Sequence, residues 1–143
     1  MIKKITNEND IIHQIAETEK KYFSHPLAEH EIKLMAVNPA YEILSFQKNG
    51  QLLSYIVATV GEYECQIIKL ASTKKRMGYG KKILATFIEK HKGKNIYLEV
   101  RLSNNDAISL YNSCGFIIDG IRKNLYDSPD EDGIIMHFSN EGI

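Results

Sequence analysis

The chain has 143 residues, of which 18 are basic and 18 acidic, so its formal net charge is zero. This length predicts a single domain over residues 1–143, and the charge balance argues against a broad basic surface for nucleic acid or an anionic membrane. No apolar run reaches the roughly 18 residues of a membrane span, and the two cysteines, Cys65 and Cys114, indicate reduced thiols in a cytoplasmic protein without a disulfide framework or a metal site.

The first third of the chain predicts one short strand and two helices. Residues 2–6 form a brief apolar and basic run that indicates a strand, and residues 6–9 offer polar side chains that can cap a helix. Apolar residues then recur at helical spacing until His25-Pro26 interrupts the pattern. A second helical series over residues 32–37 ends at Asn38-Pro39, because the residue before a proline disfavours a helix.

The middle of the chain predicts a hairpin, a third strand and a helix. The strand-like runs 41–47 and 51–60 flank Asn49-Gly50, a pair that tolerates the positive backbone angles of a type I′ turn. Another apolar run over residues 64–71 indicates a strand. After a short loop, residues 83–91 have the periodicity of an amphipathic helix.

The last third of the chain predicts a strand over residues 95–101, a short helix that Ser103-Asn104 caps, and strands over 115–126 and 134–139. The predicted order is β-α-α-β-β-β-α-β-α-β-β. This order indicates an α/β fold with a mixed, mostly antiparallel central sheet flanked by helices, in which helix-linked strands can run parallel.

The loop between the third predicted strand and its helix has the features of an anion site. Residues 74–82 read Lys-Lys-Arg-Met-Gly-Tyr-Gly-Lys-Lys, and Gly78 and Gly80 let a ligand approach the backbone near unpaired N–H groups at the helix start. A P-loop would need glycine in place of Lys75 and a hydroxyl residue in place of Lys82, and a dinucleotide fingerprint would need a small residue in place of Ile83. A phosphate seat of another kind and a simple tight turn both remain open from spacing alone.

Three further motifs lie downstream of this loop: Leu98-Glu99-Val100-Arg101, Ser103-Asn104 and Leu110-Tyr111-Asn112-Ser113-Cys114-Gly115-Phe116. Together with residues 75–80, they resemble the GNAT family of acetyl-CoA-dependent N-acetyltransferases over about residues 67–136. Within that family, Leu98-Glu99-Val100-Arg101, Ser103-Asn104 and the later residues 121–126 and 134–136 are most similar to the RimI type, which acetylates the N-terminal alanine of a ribosomal protein.

The resemblance implies that acetyl-CoA is the co-substrate. Backbone N–H groups of residues 76–80 would hold its pyrophosphate, and the pantetheine arm would pair with the third strand and contact Asn104. Cationic side chains of the loop would help the anion to arrive. The cofactor-binding residues implied in this way are Leu70, Ala71, Ser72, Lys75, Arg76, Met77, Gly78, Tyr79, Gly80 and Asn104.

Glu99 lies in a strand whose residues alternate between two faces. Leu98 shares one face with other apolar residues, and Glu99 shares the opposite face with Arg101. A carboxylate in a central strand needs a partner or a chemical task, and spacing leaves open an ion pair with Arg101 or a catalytic role. The family resemblance implies that Glu99 is the general base.

Tyr111 falls at the position where the family uses a tyrosine to protonate the departing thiolate. It follows Asn104 by seven residues, which places both on about the same side of one short helix. Without the motif, a core aromatic residue beside Leu110 and Phe116 is the simpler interpretation.

These residues predict direct transfer of an acetyl group to an amine, with a protein N-terminal α-amine of the ribosomal alanine type as the leading acceptor. Acidic residues over 127–132 either attract such a basic N-terminus or form a solvated hairpin tip. Two alternatives remain open: a GNAT enzyme that acetylates a small-molecule amine, and a catalytically silent module that binds acyl-CoA and regulates a partner.

Overall fold

The computed structural model describes residues 1–139, and its elements follow the predicted order. The strands and helices are β1 (Ile2–Lys4), α1 (Asn9–Tyr22), α2 (Glu29–Ala36), β2 (Tyr41–Lys48), β3 (Gln51–Val60), β4 (Glu64–Ser72), α3 (Tyr79–Lys90), β5 (Asn95–Arg101), α4 (Asn105–Ser113), β6 (Ile117–Tyr126) and β7 (Glu131–Phe138). None of these helices is long and apolar enough to cross a membrane.

All seven strands form one sheet in the order β1-β2-β3-β4-β5-β7-β6. Only β4 and β5 pair in parallel, and every other neighbouring pair is antiparallel. The predicted mixed, mostly antiparallel sheet is therefore confirmed. The expectation that helix-linked strands run parallel holds for β4 and β5 as neighbours, but α4 joins β5 to a strand that is not its neighbour. The β6–β7 hairpin folds back so that β7 lies between them.

Helices cover the two faces of the sheet unequally. On one face, α3 and α4 bury a core that reaches from Leu44 in β2 to Met136 in β7. On the other face, α1 and α2 bury a second core over β2 and β3, with Ile12 and Ile32 packed near Val57. This second helical layer stops before β5, so the side chains that β5 projects on that face are only half-buried.

Local turn chemistry explains the β2–β3 turn and the start of α3. Asn49 and Gly50 have φ values of 53° and 76°, as expected for the predicted type I′ turn. Helix α3 begins at Tyr79, four residues before the predicted start, because Gly78 adopts φ 77° and allows the chain to enter the helix at once. The polar first turn of α3 has no apolar periodicity, so the sequence pattern missed it.

The two predicted N-caps have different outcomes. Asn104 caps α4 as predicted, because its Oδ1 accepts a hydrogen bond of 3.2 Å from Ala107 N. At α1 the N-cap is Glu8 and no side chain caps the helix. The Glu8 carboxylate instead accepts a hydrogen bond from Asn7 N at 3.1 Å. The predicted range 6–9 therefore contains the N-cap residue, but the side-chain cap expected there is not formed within the described residues.

Candidate active site

Strands β4 and β5 separate halfway along their length. Their parallel pairing runs from Glu64 opposite Asn95 to Ile67 opposite Leu98 and then ends. Ile68 is an extra residue in the β3–β4 ladder, where Val57 lies opposite Lys69 and Ala58 opposite Ile67. Because such a bulge bends and twists its strand, β4 turns away from β5 and leaves a fork between them.

The fork exposes backbone hydrogen-bonding groups along one edge of β4. Beyond the bulge, Leu70, Ala71 and Ser72 pair with β3 on one side, while the side that faced β5 has no strand neighbour within residues 1–139. An extended chain with amide groups can add to such an edge as a strand would. This geometry suits the pantetheine arm, which the family resemblance assigned to the same three residues.

Helix α3 starts at the mouth of the fork. Its first hydrogen bond runs from Lys82 N to Gly78 O at 3.0 Å, and the N–H groups of residues 78–81 donate to no acceptor in the described chain. A Cβ added at Gly78 would meet nothing within 4 Å, whereas one at Gly80 would lie 3.1 Å from Ser72 Oγ. Gly80 thus brings the helix start close to β4, and Gly78 leaves its N–H groups accessible to an anion.

Side chains around this helix start fall into two groups. Lys75 and Arg76 are exposed, and Met77 is 56% exposed, so their side chains shape the approach to the loop. Tyr79 instead packs edge-on against Phe46 with ring centroids 5.7 Å apart, and its carbonyl accepts a 2.9 Å hydrogen bond from Ser54 Oγ in β3. The loop and the open β4 edge together fit a pyrophosphate followed by an amide-bearing arm.

Glu99 lies one residue beyond the last β4–β5 pair, at the apex of the fork. Its carboxylate lines an open groove of about 660 Å³ on the face that α1 and α2 leave uncovered. Arg122 Nη1 donates a 2.9 Å hydrogen bond to Glu99 Oε2, and the Glu99 side chain keeps 28% of its surface exposed. The ion pair with Arg101 that spacing left open is therefore wrong.

The Glu99 partner comes from a strand that is not next to β5. Arg122 in β6 and Arg101 in β5 both lie opposite Gly133 in β7, so Arg122 reaches Glu99 across the intervening strand. The two residues are 23 positions apart in sequence, and no local pattern signals their contact. Sequence reasoning missed Arg122 because the pairing depends on the strand order of the sheet.

Tyr111 is packed in the core below the fork, 6% exposed, with its ring centroid 5.5 Å from that of Phe116. Its hydroxyl has no hydrogen-bond partner in residues 1–139, but the oxygen keeps some contact with solvent. Burial, with a smaller contribution from Tyr126, raises the pKa of Tyr111 above its ordinary value. The side chain therefore packs as a core aromatic residue and also keeps an unpaired proton donor.

Tyr126, the last residue of β6, is half-buried. Burial raises the pKa of Tyr126, and the Glu99 charge adds to that effect, while Tyr126 in turn acts on Tyr111. Glu99 projects from β5 into the groove, whereas Tyr111 packs on the opposite face of the sheet within the core that α3 and α4 cover. Asn104 is exposed at the start of α4, with its Oδ1 engaged in the helix cap.

The acidic residues near the β6–β7 turn are engaged within the protein. Asp127 contacts His25, Glu131 Oε2 accepts a 2.6 Å hydrogen bond from Ser103 N, and Asp132 Oδ1 accepts one of 2.8 Å from Asn124 N. The interpretation of this segment as a solvated tip holds for Asp127, whose side chain is 69% exposed, and is wrong for Glu131 and Asp132, whose carboxylates are withdrawn from solvent and hold the turn.

The fold, the forked sheet and the glycine turn define a class of protein that sequence comparison also finds. The sequence model of the acetyltransferase (GNAT) family matches residues 10–116. The chain belongs to this family and is an acetyl-CoA-dependent N-acetyltransferase.

Particular relatives narrow the similarity to one branch. The chain is 35% identical over 127 residues to the [ribosomal protein bS18]-alanine N-acetyltransferase of Escherichia coli K12, covering 82% of this chain and 84% of that protein. It is 33% identical over 122 residues to the putative enzyme of the same name from Bacillus subtilis, covering 82% and 76%. The crystal structure of the E. coli ribosomal-protein-S18-alanine N-acetyltransferase aligns with a TM-score of 0.80 and 26% identity over 100% of this chain and 99% of that chain. The predicted similarity to the RimI type is confirmed.

Proposed function

We propose that this enzyme acetylates the N-terminal α-amine of a protein, and that its acceptor is the N-terminal alanine of a ribosomal protein. Both sequence relatives named above carry this activity in their names and match 82% of the chain. The observation that carries the proposal is the position of Glu99, whose carboxylate stands at the apex of the fork and faces an open groove of about 660 Å³. A groove of this kind admits the end of a polypeptide.

The donor side of the proposed site uses mainly backbone groups. The open edge of Leu70, Ala71 and Ser72 would pair with the pantetheine arm, and N–H groups of residues 76–80 would hold the pyrophosphate. The Asn104 amide nitrogen, which donates no hydrogen bond within residues 1–139, would contact the same arm. The exposed charges of Lys75 and Arg76 would attract the anion. When bound, acetyl-CoA supplies an acetyl group activated as a thioester.

In this proposal Glu99 accepts the proton that the acceptor amine must lose before it attacks. An α-amine with a pKa of about 7.7–8.0 loses this proton at neutral pH far more readily than a lysine at about 10.4. A partly exposed carboxylate, acting directly or through one water molecule, is sufficient for such an amine. Arg122, which binds Glu99 Oε2 at 2.9 Å, holds the carboxylate in place.

Tyr111 supplies a proton to the leaving sulfur in the same scheme. Its raised pKa keeps the phenol protonated in the free enzyme, so the hydroxyl has a proton to donate. An ordinary phenol with a pKa of about 10 already protonates a thiolate of pKa about 8.5 uphill, and burial adds to that difference. In this scheme the thiolate forms beside the buried Tyr111 side chain, where desolvation raises its pKa as well.

The experiment that tests this function locates the transferred group. The enzyme is incubated with acetyl-CoA and a basic peptide that begins with alanine and contains internal lysines, and tandem mass spectrometry identifies the modified atom. A matched peptide with a blocked N-terminus and the same lysines is the control. We expect one acetyl group on the α-nitrogen of the free peptide and none on the control.

Other results of the same experiment would replace the proposal. Acetylation only of lysine side chains would contradict the α-amine assignment. Turnover of polyamines or amino sugars without turnover of the peptide would identify a small-molecule acetyltransferase. Binding of acetyl-CoA without turnover of any amine would indicate a silent acyl-CoA-binding module.

A further inference from the structure

Arg101 connects three separate parts of the molecule. Its Nη1 donates to Pro129 O at 2.8 Å and to Glu131 Oε1 at 3.3 Å, and its Nη2 donates to Asp127 O at 2.8 Å and to Ser24 Oγ at 3.3 Å. The side chain leaves β5 with only 21% of its surface exposed. One guanidinium group therefore joins the end of β5 to the β6–β7 turn (residues 127–130) and to the α1–α2 loop (residues 23–28).

The geometry of these contacts requires arginine. Two nitrogens of one planar fork bind two carbonyls of the same turn, and the guanidinium carbon lies 4.7 Å from the Tyr126 ring centroid. A lysine ammonium offers a point charge on a flexible stem and cannot reproduce the planar fork or the stacking. This arrangement explains why Arg101 does not pair with Glu99, although both project from the same face of β5.

Two further contacts hold the α1–α2 loop in the same place. His25 Nε2 lies 2.5 Å from Asp127 Oδ1 in the β6–β7 turn. Lys69 Nζ, in β4, donates a 3.1 Å hydrogen bond to His25 O. The loop and the turn thus meet above the ends of β4 and β5, beside the fork where Glu99 stands.

We propose that Arg101 is a positioning residue for the acceptor. By holding the α1–α2 loop and the β6–β7 turn at one separation above the end of β5, it sets the width of the entrance through which the amine reaches Glu99. This inference rests on the proposed function in one respect, namely that the amine arrives at Glu99. Arg101 does not touch the reacting atoms, because its four hydrogen bonds within residues 1–139 all go to the loop, the turn and Glu131.

The first test separates binding of the acceptor from chemistry. In Arg101→Lys we expect the KM for the acceptor to rise by about tenfold, with kcat and the KM for acetyl-CoA changing by less than about twofold. Ser24→Ala removes only the bond to the α1–α2 loop and keeps Arg101, so the acceptor KM rises by about threefold. Ser113→Ala is the matched control, since within residues 1–139 Ser113 Oγ contacts only its chain neighbours Leu110 O and, at 3.9 Å, Cys114 Sγ, and it leaves all three constants unchanged.

The second test needs no acceptor. Hydrogen exchange, followed by mass spectrometry, measures the protection of residues 23–28 and 127–130 in the wild type and in Arg101→Lys. We expect faster exchange in both segments of the variant and unchanged exchange in α3. Unchanged exchange in both segments overturns the proposal, and so does faster exchange with an unchanged acceptor KM. A fall in kcat at constant acceptor KM also overturns it, because Arg101 would then act on the chemistry.

The two experiments also keep this inference distinct from the proposed function. If the wild type acetylates a small amine and no peptide, the proposed function fails, and the KM comparison is made with that amine. A higher KM in Arg101→Lys would then still support positioning by Arg101, and an unchanged KM would overturn it.

Discussion

Glu99 has one ion-pair partner and one proposed chemical task, and the two are compatible. Arg122 binds only one carboxylate oxygen, and its own side chain is 62% exposed. A pair in such contact with solvent contributes little to folding, about 0–1 kcal/mol. Substitution at Glu99 therefore reports on catalysis with little interference from stability.

We expect Glu99→Gln to lower kcat by about 10²–10⁴-fold, because glutamine has the same shape but cannot accept the proton of the amine. The KM for acetyl-CoA and the midpoint of urea unfolding stay close to wild type. Asp119→Asn is the matched control, since Asp119 is a carboxylate in β6 that contacts His137 instead of the groove. Equal turnover in Glu99→Gln and wild type would exclude Glu99 as the base.

Tyr111 allows an equally clean test, because its hydroxyl has no hydrogen-bond partner in the described part of the chain. Tyr111→Phe keeps the packing against Phe116 and removes only the proton donor. We expect kcat to fall by about 10²-fold, while the free energy of unfolding changes by less than about 1 kcal/mol. Steady-state kinetics and urea unfolding measure the two quantities. A stability loss without a kinetic effect would assign Tyr111 to the core alone.

At the scale of elements, helix α3 is held closely at both ends. At its N-terminus, Gly80 approaches Ser72 in β4, where an added Cβ would lie 3.1 Å from Ser72 Oγ. At its C-terminus, His91 donates a 3.0 Å hydrogen bond to the buried carboxylate of Glu42 in β2, and Lys90 lies 2.8 Å from the same group. The first contact bears on the cofactor site and the second on stability.

We expect Gly80→Ala to raise the KM for acetyl-CoA by about tenfold, because the new methyl group pushes the start of α3 away from the β4 edge. Alanine is the better helix former by about 1 kcal/mol, so unfolding is little affected. Ser72→Ala removes the oxygen that the methyl group meets, and the double variant therefore recovers part of the affinity. No change in acetyl-CoA KM in Gly80→Ala would show that the helix start does not contact the cofactor.

The C-terminal contact of α3 predicts a pH dependence of stability. The Cys65 side chain and the Glu42 carboxylate raise the pKa of His91 from 6.5 to about 9, so its stabilisation is complete below pH 6.5 and is lost as pH rises through 9. Although burial opposes the shift, hydrogen bonds from His91 and Lys90 lower the pKa of Glu42 from 4.5 to about 2. Its stabilisation is complete above pH 4.5 and is lost as pH falls through 2.

We therefore expect the free energy of unfolding of the wild type to decline between pH 6.5 and pH 9, and His91→Gln to show a flatter profile over the same range. Urea titrations at several pH values measure both. His13→Gln is the matched control, because the His13 side chain is 62% exposed and its contact with Glu29 lies at the surface. A variant profile as steep as that of the wild type would show that another group titrates.

At the scale of the whole molecule, one buried carboxylate joins the helical layer to the sheet. Glu19 in α1 is fully buried, and its oxygens accept hydrogen bonds from Tyr55 Oη and, at 3.0 Å, from Leu27 N. Lys69 Nζ in β4 lies 3.3 Å from the same carboxylate. Burial and the Glu19 charge both raise the pKa of Tyr55, so Tyr55 remains a donor. The α1–α2 loop thus rests on an internal ion pair.

We expect Glu19→Gln to lower the free energy of unfolding by about 3 kcal/mol, because it leaves the Lys69 ammonium, 13% exposed, without its counter-ion. Urea unfolding measures the change. Glu17→Gln is the matched control on the same helix, since the exposed Glu17–Lys20 pair contributes less than about 1 kcal/mol. Equal stability of the two variants would contradict a structural role for the buried pair.

Local sequence is sufficient to predict the order of the elements, the Asn49-Gly50 hairpin and the glycine turn at the donor site. Each of these features rests on neighbouring residues, because turn angles, helix caps and apolar periodicity are local properties. The motifs around Glu99 and Tyr111 also lie in contiguous segments, so the residues alone indicate the family. The first turn of α3 is polar and lacks apolar periodicity, so the sequence pattern did not predict it.

The separation of β4 from β5, the insertion of β7 and the choice of partner for each arginine depend on the folded chain. Arg101 and Ser24 are 77 residues apart, and Glu99 and Arg122 are 23 apart. Such contacts depend on the strand order and on the bulge at Ile68. Bringing residues so far apart in sequence together costs loop-closure entropy, and local sequence patterns do not indicate which distant residues will meet. The proposed donor site therefore follows from the sequence, whereas the proposed entrance for the acceptor depends on segments that meet only in the folded chain.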